Sequence, residues 1–227
     1  MKTPGLYIIA GPNGAGKSTL SGILVAPGTF VFDGDKELDR LQKQFPDIDS
    51  ATLFDSVNDR IFEEKKAEAI ATKSDFALET NFRSEKLMET VKQFKDNGYQ
   101  INLIYLGLPS VNHAKERVDE RVNNGGHAVS DEDIKENYTA GLANLQQYHS
   151  HFDSVTLLHN SIPAHRQYRV LTLAVIKGGK IEKQSSKLPR WAQDFMLARM
   201  KLTNKQKAVR ETLLPKKRQG RSRGKKL

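Results

Sequence analysis

Eight consecutive residues near the start, Gly11-Pro12-Asn13-Gly14-Ala15-Gly16-Lys17-Ser18, constrain this chain more than any other stretch. An apolar run at 6–10 precedes them and a helical pattern at 17–25 follows, so strand, glycine-rich turn and helix succeed one another without a gap. Backbone amides that curl inward around a polyphosphate need residues free to take unusual dihedrals and to let the ligand approach. Gly11, Gly14 and Gly16 meet that need. Lys17 brings a positive charge to the terminal phosphates and Ser18 a hydroxyl for magnesium, while Thr19 continues a helix whose N-terminus favours anions. The spacing predicts nucleotide binding through residues 11–19, with ATP and Mg2+ as cofactors.

The rest of the chain alternates short apolar runs with longer amphipathic stretches, the pattern of a parallel sheet with helical crossovers. Strands are expected at 6–10, 29–33, 76–79, 101–107 and 154–159. Helices are expected at 17–25, at 53–73, around Leu87, Val91 and Phe94, at 111–124, and from a Ser130 cap to about Tyr148. Gly178-Gly179 between two further extended segments, 168–176 and 180–183, signals a hairpin. A helix should start at Pro189 and run through Leu202, with another at 204–214. The fold class is therefore α/β: a P-loop NTPase or kinase fold with a mainly parallel five-stranded sheet flanked by helices, plus a C-terminal hairpin and helices. Residues 1–183 form the expected kinase domain, 184–214 a helical extension and 215–227 a disordered basic tail.

Charge supports that division. The 227 residues carry 36 Lys and Arg against 27 Asp and Glu, a net +9, but seven of the 36 lie in the last 13 residues with no acid among them. The preceding body keeps 29 basic residues against 27 acidic, or +2. Nonspecific nucleic-acid contact is thus expected from Lys216 to Lys226 and not from the body. The chain has no cysteine, which excludes disulfides, a thiol nucleophile and thiolate metal sites. His149 and His151 form an HxH with no third ligand in view. The early apolar run is too short for a signal segment and no run reaches membrane-spanning length, so a cytoplasmic protein without membrane contact is expected.

Among nucleotide proteins, the signature of ABC-type ATPases is missing, because Leu20-Ser21-Gly22 falls inside the first helix. A base-reading NKxD is missing too: Asn204-Lys205-Gln206-Lys207 lacks the Asp. A small kinase needs an acid after the second strand, an acceptor pocket after the third and arginines over the transferred phosphate. Asp33 and Asp35 flank Gly34 at the end of the second strand, one suited to magnesium or substrate and the other to the proton of an attacking hydroxyl. Glu79, Asn81 and Arg83 end the third strand and suit a hydroxyl-rich, anionic acceptor. Arg117 and Arg121 are one helical turn apart and could neutralise developing charge. His127, behind Gly125-Gly126, sits in a natural lid where it could reach nucleotide or substrate.

With these residues in place, the chain resembles the zeta-toxin family of P-loop kinases over about residues 6–160. The resemblance is carried by GPNGAGKST, FDGD, ETNFR, Gly107-Leu108-Pro109 and the arginine-bearing helix that follows. It implies an ATP-dependent kinase acting on a hydroxyl of a nucleotide-sugar such as UDP-N-acetylglucosamine, with Lys17 and Ser18 serving ATP and magnesium. By position Asp35 would orient the acceptor hydroxyl, Glu79 and Arg83 would bind the acceptor, and Arg117 or Arg121 would stabilise the phosphate. The family's second phosphate-binding arginine falls near His127. At this point Asn81 replaces the family's threonine and bulky Phe82 a small residue, and an antitoxin partner is a further implication. Two alternatives remain open on sequence: a polynucleotide or RNA kinase, and an NTP-dependent nucleic-acid- or ribosome-associated module using the tail.

Overall fold

Side-chain alternation along the first strand sets the layers. In β1 (Gly5–Ala10), Leu6, Ile8 and Ala10 enter one apolar core while Ile9 enters another on the opposite face of the sheet. A strand buried on both faces belongs in the middle of a parallel sheet, and β1 pairs in parallel with β3 (Phe76–Thr80) on one side and β4 (Gln100–Gly107) on the other. The computed structural model describes residues 3–160 and 170–213, with side chains described to residue 202.

Outward from this centre, β2 (Phe30–Phe32) pairs with β3 and β5 (Ser154–His159) with β4, both in parallel. The five parallel strands are those expected, but the sheet has seven. The segment read as an appended hairpin joins it: β6 (Leu171–Lys177) lies antiparallel on β5, and β7 (Lys180–Gln184) antiparallel on β6. The order is β2-β3-β1-β4-β5-β6-β7. The reason is burial: Leu173, Ala174 and Ile176 bury in the main core, which they reach only by extending the sheet edge left by β5. Gly178 and Gly179 both take positive φ, the geometry of a tight hairpin turn.

Helices cover both faces. They are α1 (Lys17–Leu24), α2 (Gly34–Gln44), α3 (Ser50–Asp55), α4 (Phe62–Thr72), α5 (Leu87–Asp96), α6 (Val111–Asn123), α7 (Asp131–Tyr148) and α8 (Arg190–Leu213). One π turn, Ser56–Ile61, joins α3 to α4, so the helix expected at 53–73 is longer and starts at Ser50, capped by Asp49. The second strand is shorter than expected because Asp33 leaves it to cap α2, its carboxylate accepting from the Lys36 amide at 3.2 Å. The two helices expected after Pro189 are one, α8. Its first turns bury Trp191, Ala192, Phe195 and Met196 in the main core, with the Trp191 indole donating to His159 Nδ1 at 3.4 Å. The basic run 215–227, with its Lys216–Lys226 nucleic-acid expectation, lies outside the described residues. No helix among the described residues is long and apolar enough to cross a membrane.

Candidate active site

The phosphate loop, residues 33–35 and residues 81–83 follow β1, β2 and β3 directly and so lie at the carboxyl edge of the parallel strands, where a doubly wound sheet leaves room for ligand. The loop between β1 and α1 carries the eight-residue motif, and Gly11, Gly14 and Gly16 have φ of +150°, +75° and +88°. At Gly14 the demand is double: a β-carbon there would also lie 2.8 Å from that of Arg117. The Gly11 amide donates to the Thr80 carbonyl at 3.2 Å, tying the start of the loop to the end of β3.

Lys17 heads α1 with its ammonium turned into the loop. Nζ donates to the carbonyls of Gly11 at 2.8 Å and Pro12 at 3.2 Å, and to Asn81 Oδ1 at 2.8 Å. Desolvation pushes its pKa from 10.5 down to about 8, opposed by the charges of Glu79, Asp35 and Asp33 and assisted by that of Arg121. Four of the expected residues, Glu79, Asp35, Asp33 and Arg121, thus bear on the charge of this ammonium. Ser18 stands between two acids: its hydroxyl lies 2.7 Å from Glu79 Oε2 and 2.9 Å from Asp33 Oδ2. Burial raises the Glu79 pKa and the charge of Asp33 adds to the rise, while hydrogen bonds from Ser18 and Ser21 oppose it. Glu79, expected at the acceptor, thus faces Ser18. Asp35 lies in the first turn of α2, exposed and without a hydrogen bond among the described residues.

The arginines divide. Arg117 reaches the phosphate loop, donating from Nη1 to the Gly14 carbonyl at 3.2 Å and from Nη2 to Asn160 Oδ1 at 3.4 Å. Arg121 donates from Nη2 to the His127 carbonyl at 2.6 Å, while the His127 side chain is exposed. The two residues weighed as alternatives are therefore joined, arginine to backbone. Arg83 is half-exposed and already engaged: Nη1 pairs with Asp133 Oδ1 at 3.0 Å and Nη2 with Glu136 Oε2 at 2.6 Å, both from α7. Asp133 is held in its charged form by hydrogen bonds from Ser130 and then Arg83, which lower its pKa.

Sequence reasoning missed three buried amides. Asn160, fully buried after β5, donates from Nδ2 to the Ala15 carbonyl at 3.0 Å while accepting from Arg117. Asn137 of α7 donates to Asn13 Oδ1 at 2.8 Å, and Asn144 donates to the carbonyls of Phe82 and Arg83 at 2.8 and 3.0 Å. A signal for the last two existed: Asn137, Gly141 and Asn144 recur at helical spacing on the buried side of α7, between Ile134 and Leu145, where apolar residues would be usual. Among the described residues no group of three or more His, Asp or Glu side chains could hold a metal, so the HxH at His149 and His151 gathers no further ligand.

Comparison with known proteins gives three results. A family model described as Zeta toxin matches residues 1–167. An uncharacterized protein of Haemophilus influenzae is 28% identical over 135 residues, covering 56% of this chain and 88% of that one. Two solved structures share the fold. One, from work on the PezAT chromosomal toxin-antitoxin system of Streptococcus pneumoniae, is 13% identical with a TM-score of 0.55, covering 90% of this chain and 88% of that chain. The other, an AvrRxo1-ORF1:-ORF2 complex solved with ATP, is 12% identical with a TM-score of 0.61 over 87% of this chain and 64% of that chain.

Proposed function

The chain belongs to the zeta toxin family and has a P-loop kinase fold, and from that premise we propose that it transfers the γ-phosphoryl group of ATP to a hydroxyl of a nucleotide-sugar such as UDP-N-acetylglucosamine. The observation that carries the reading is the convergence on Lys17 and Ser18: Asn81 bonds the Lys17 ammonium, Asp33 and Glu79 bond the Ser18 hydroxyl, and Arg117 reaches Gly14 of the same loop. Residues 11–19 cradle the phosphates, and Lys17 exchanges its loop carbonyls for β- and γ-phosphate oxygens. The AvrRxo1 relative solved with ATP supports that choice of nucleotide.

Magnesium fits the residues present. The Ser18 hydroxyl already lies between the carboxylates of Asp33 and Glu79, an all-oxygen donor set of the kind this ion takes. Ser18 and Asp33 would hold the ion, with the nucleotide's phosphates completing its shell as magnesium requires. Its contribution when bound is to neutralise charge on the β- and γ-phosphates.

Asp35, exposed at the head of α2, is the base in this reading. Its carboxylate accepts the proton of the acceptor hydroxyl as that oxygen bonds to the γ-phosphorus and ADP departs with the electrons of the broken P–O bond. Because the transition state is loose, orientation of the hydroxyl matters more than basicity. Arg117, braced on Gly14, and Arg121 offset the charge spread over the transferred group. Glu79, Asn81 and Arg83 border the acceptor, and His127 stands at its lid. A neutralising partner chain is proposed as well, by analogy with the PezAT toxin-antitoxin relative.

The test is incubation with ATP, Mg2+ and UDP-N-acetylglucosamine, followed by mass spectrometry. A product heavier by one phosphoryl group supports the reading. Phosphorylation of a different hydroxyl compound, with UDP-N-acetylglucosamine untouched, would remove the nucleotide-sugar; no transfer to any hydroxyl would remove the kinase.

A further inference from the structure

One helix touches both halves of the site. The face of α7 that carries Asp133, Glu136, Asn137, Gly141 and Asn144, spaced by three and four, meets the phosphate loop at one point and the acceptor loop at three. Asn137 holds Asn13, and both side chains are buried, at 7% and 6% exposure. Gly141 lies against the Asn81 carbonyl so closely that a β-carbon would sit 2.6 Å from that oxygen. Asn144, also buried, holds the carbonyls of Phe82 and Arg83, and Asp133 with Glu136 holds the Arg83 guanidinium. Phe82 itself has φ +56° and is fully buried, and among the described residues its carbonyl accepts from Asn144 of this helix.

Among the described residues Ser18 also bonds Glu79 at the end of β3, and two further links reach Thr80 and Asn81. The Gly11 amide to Thr80 carbonyl bond belongs to the β1 and β3 ladder edge and has no side chain to respond to ligand. The Lys17 to Asn81 bond competes with phosphate for the same ammonium, so nucleotide binding weakens it. Neither carries a signal that strengthens when nucleotide arrives. The Asn13 to Asn137 bond does: ordering the phosphate loop fixes Asn13, which in turn fixes α7 and the loop it grips.

We propose that α7 is the strut that holds the acceptor loop in register with the phosphate loop, with Asn137 and Asn144 as its positioning residues. Nucleotide bound at 11–18 is then felt at 80–86 through this helix. The inference rests on the nucleotide-binding half of the function proposed above and is independent of which acceptor is used.

Hydrogen–deuterium exchange of the full chain, with and without ATP and Mg2+, tests it. In the wild type, ATP should slow exchange at 11–18 and also at 80–86, the latter by about 5-fold or more, the size of ordinary site-to-site coupling. In Asn137→Ala the slowing at 11–18 should remain and that at 80–86 should vanish. In Asn144→Ala, which leaves the phosphate loop's contacts intact, exchange at 80–86 should be faster without ligand and unresponsive to ATP. A purely structural role would instead speed exchange throughout the chain in both variants. Slowing at 11–18 alone in the wild type, slowing at 80–86 that survives in Asn137→Ala, or uniform loss of protection would each overturn the strut. Absence of any ATP effect at 11–18 in the wild type would overturn the nucleotide-binding reading and the strut together.

Discussion

The phosphate loop and the acceptor loop sit side by side at the ends of β1 and β3, yet they are built differently. The first takes its conformation from its own residues, glycines with positive φ and a lysine and a serine at fixed offsets, with Asn137, Arg117 and Asn160 bracing it from other elements. The second is specified from a distance. Its sharpest bend is made by Phe82, a bulky residue in the left-handed region, and its carbonyls are satisfied by Asn144, 62 and 61 positions along the chain. A locally coded loop keeps its chemistry wherever the fold recurs, while a loop held by tertiary contacts can change its ligand by altering a neighbouring helix. This contrast matches the division between nucleotide, common to P-loop folds, and acceptor, which differs among them.

The comparison is broken most severely at Lys17. Lys17→Ala removes the one positive charge inside the loop and should lower phosphoryl transfer by about 10²–10³-fold or more, measured as ADP release, with little change in melting temperature. Unaltered transfer would mean that the loop does not code for its own chemistry. The reverse pattern is expected at Phe82. Phe82→Ala empties a fully buried site between Tyr148 and Phe152 and should cost about 3–5 kcal/mol of stability in denaturant titration. ATP affinity should change far less.

How much could be read beforehand follows the same line. The five parallel strands, the loop and the acids of FDGD were legible because each is a local pattern: an apolar run, glycine spacing, paired carboxylates after a strand. The two extra strands were legible as a hairpin but not as sheet, since β5's free edge exists only once the sheet is assembled. Glu79 and Arg83 were found as residues but not as partners. Nothing local says that Glu79 meets Ser18, or that Arg83 meets Asp133, 50 positions away. The amides Asn137, Asn144 and Asn160 escaped because an isolated Asn reads as a turn or a cap until its burial is known.

A smaller effect sharpens the picture of Lys17. Its pKa, lowered by desolvation to about 8, should rise when phosphates replace loop carbonyls. Free and bound protein are both protonated below pH 8, so ATP affinity is full there. Above pH 8 the free protein must take up a proton to bind, and affinity should fall by about tenfold per pH unit until the bound pKa is reached. Calorimetry in buffers of different ionisation heat checks the proton uptake; affinity that is flat from pH 7 to 10 would contradict it. The smallest effect is expected at the exposed ion pairs of Arg83. The double variant Asp133→Asn, Glu136→Gln should leave the melting temperature nearly unchanged, because half-exposed pairs add little to stability. It should free Arg83 and shift the acceptor KM a few-fold while leaving that of ATP in place; equal shifts in both would erase the distinction between the halves.

The central claim, that this site moves a phosphoryl group to a hydroxyl oriented by Asp35, is tested most directly by transfer of γ-labelled phosphate into a metabolite extract, comparing wild type with Asp35→Asn. The account predicts one labelled small-molecule product with the wild type, its loss by about 10²–10⁴-fold in the variant, and ATP affinity within about twofold in both. A labelled product formed at the same rate by Asp35→Asn, or label appearing only as inorganic phosphate with both proteins, would contradict it.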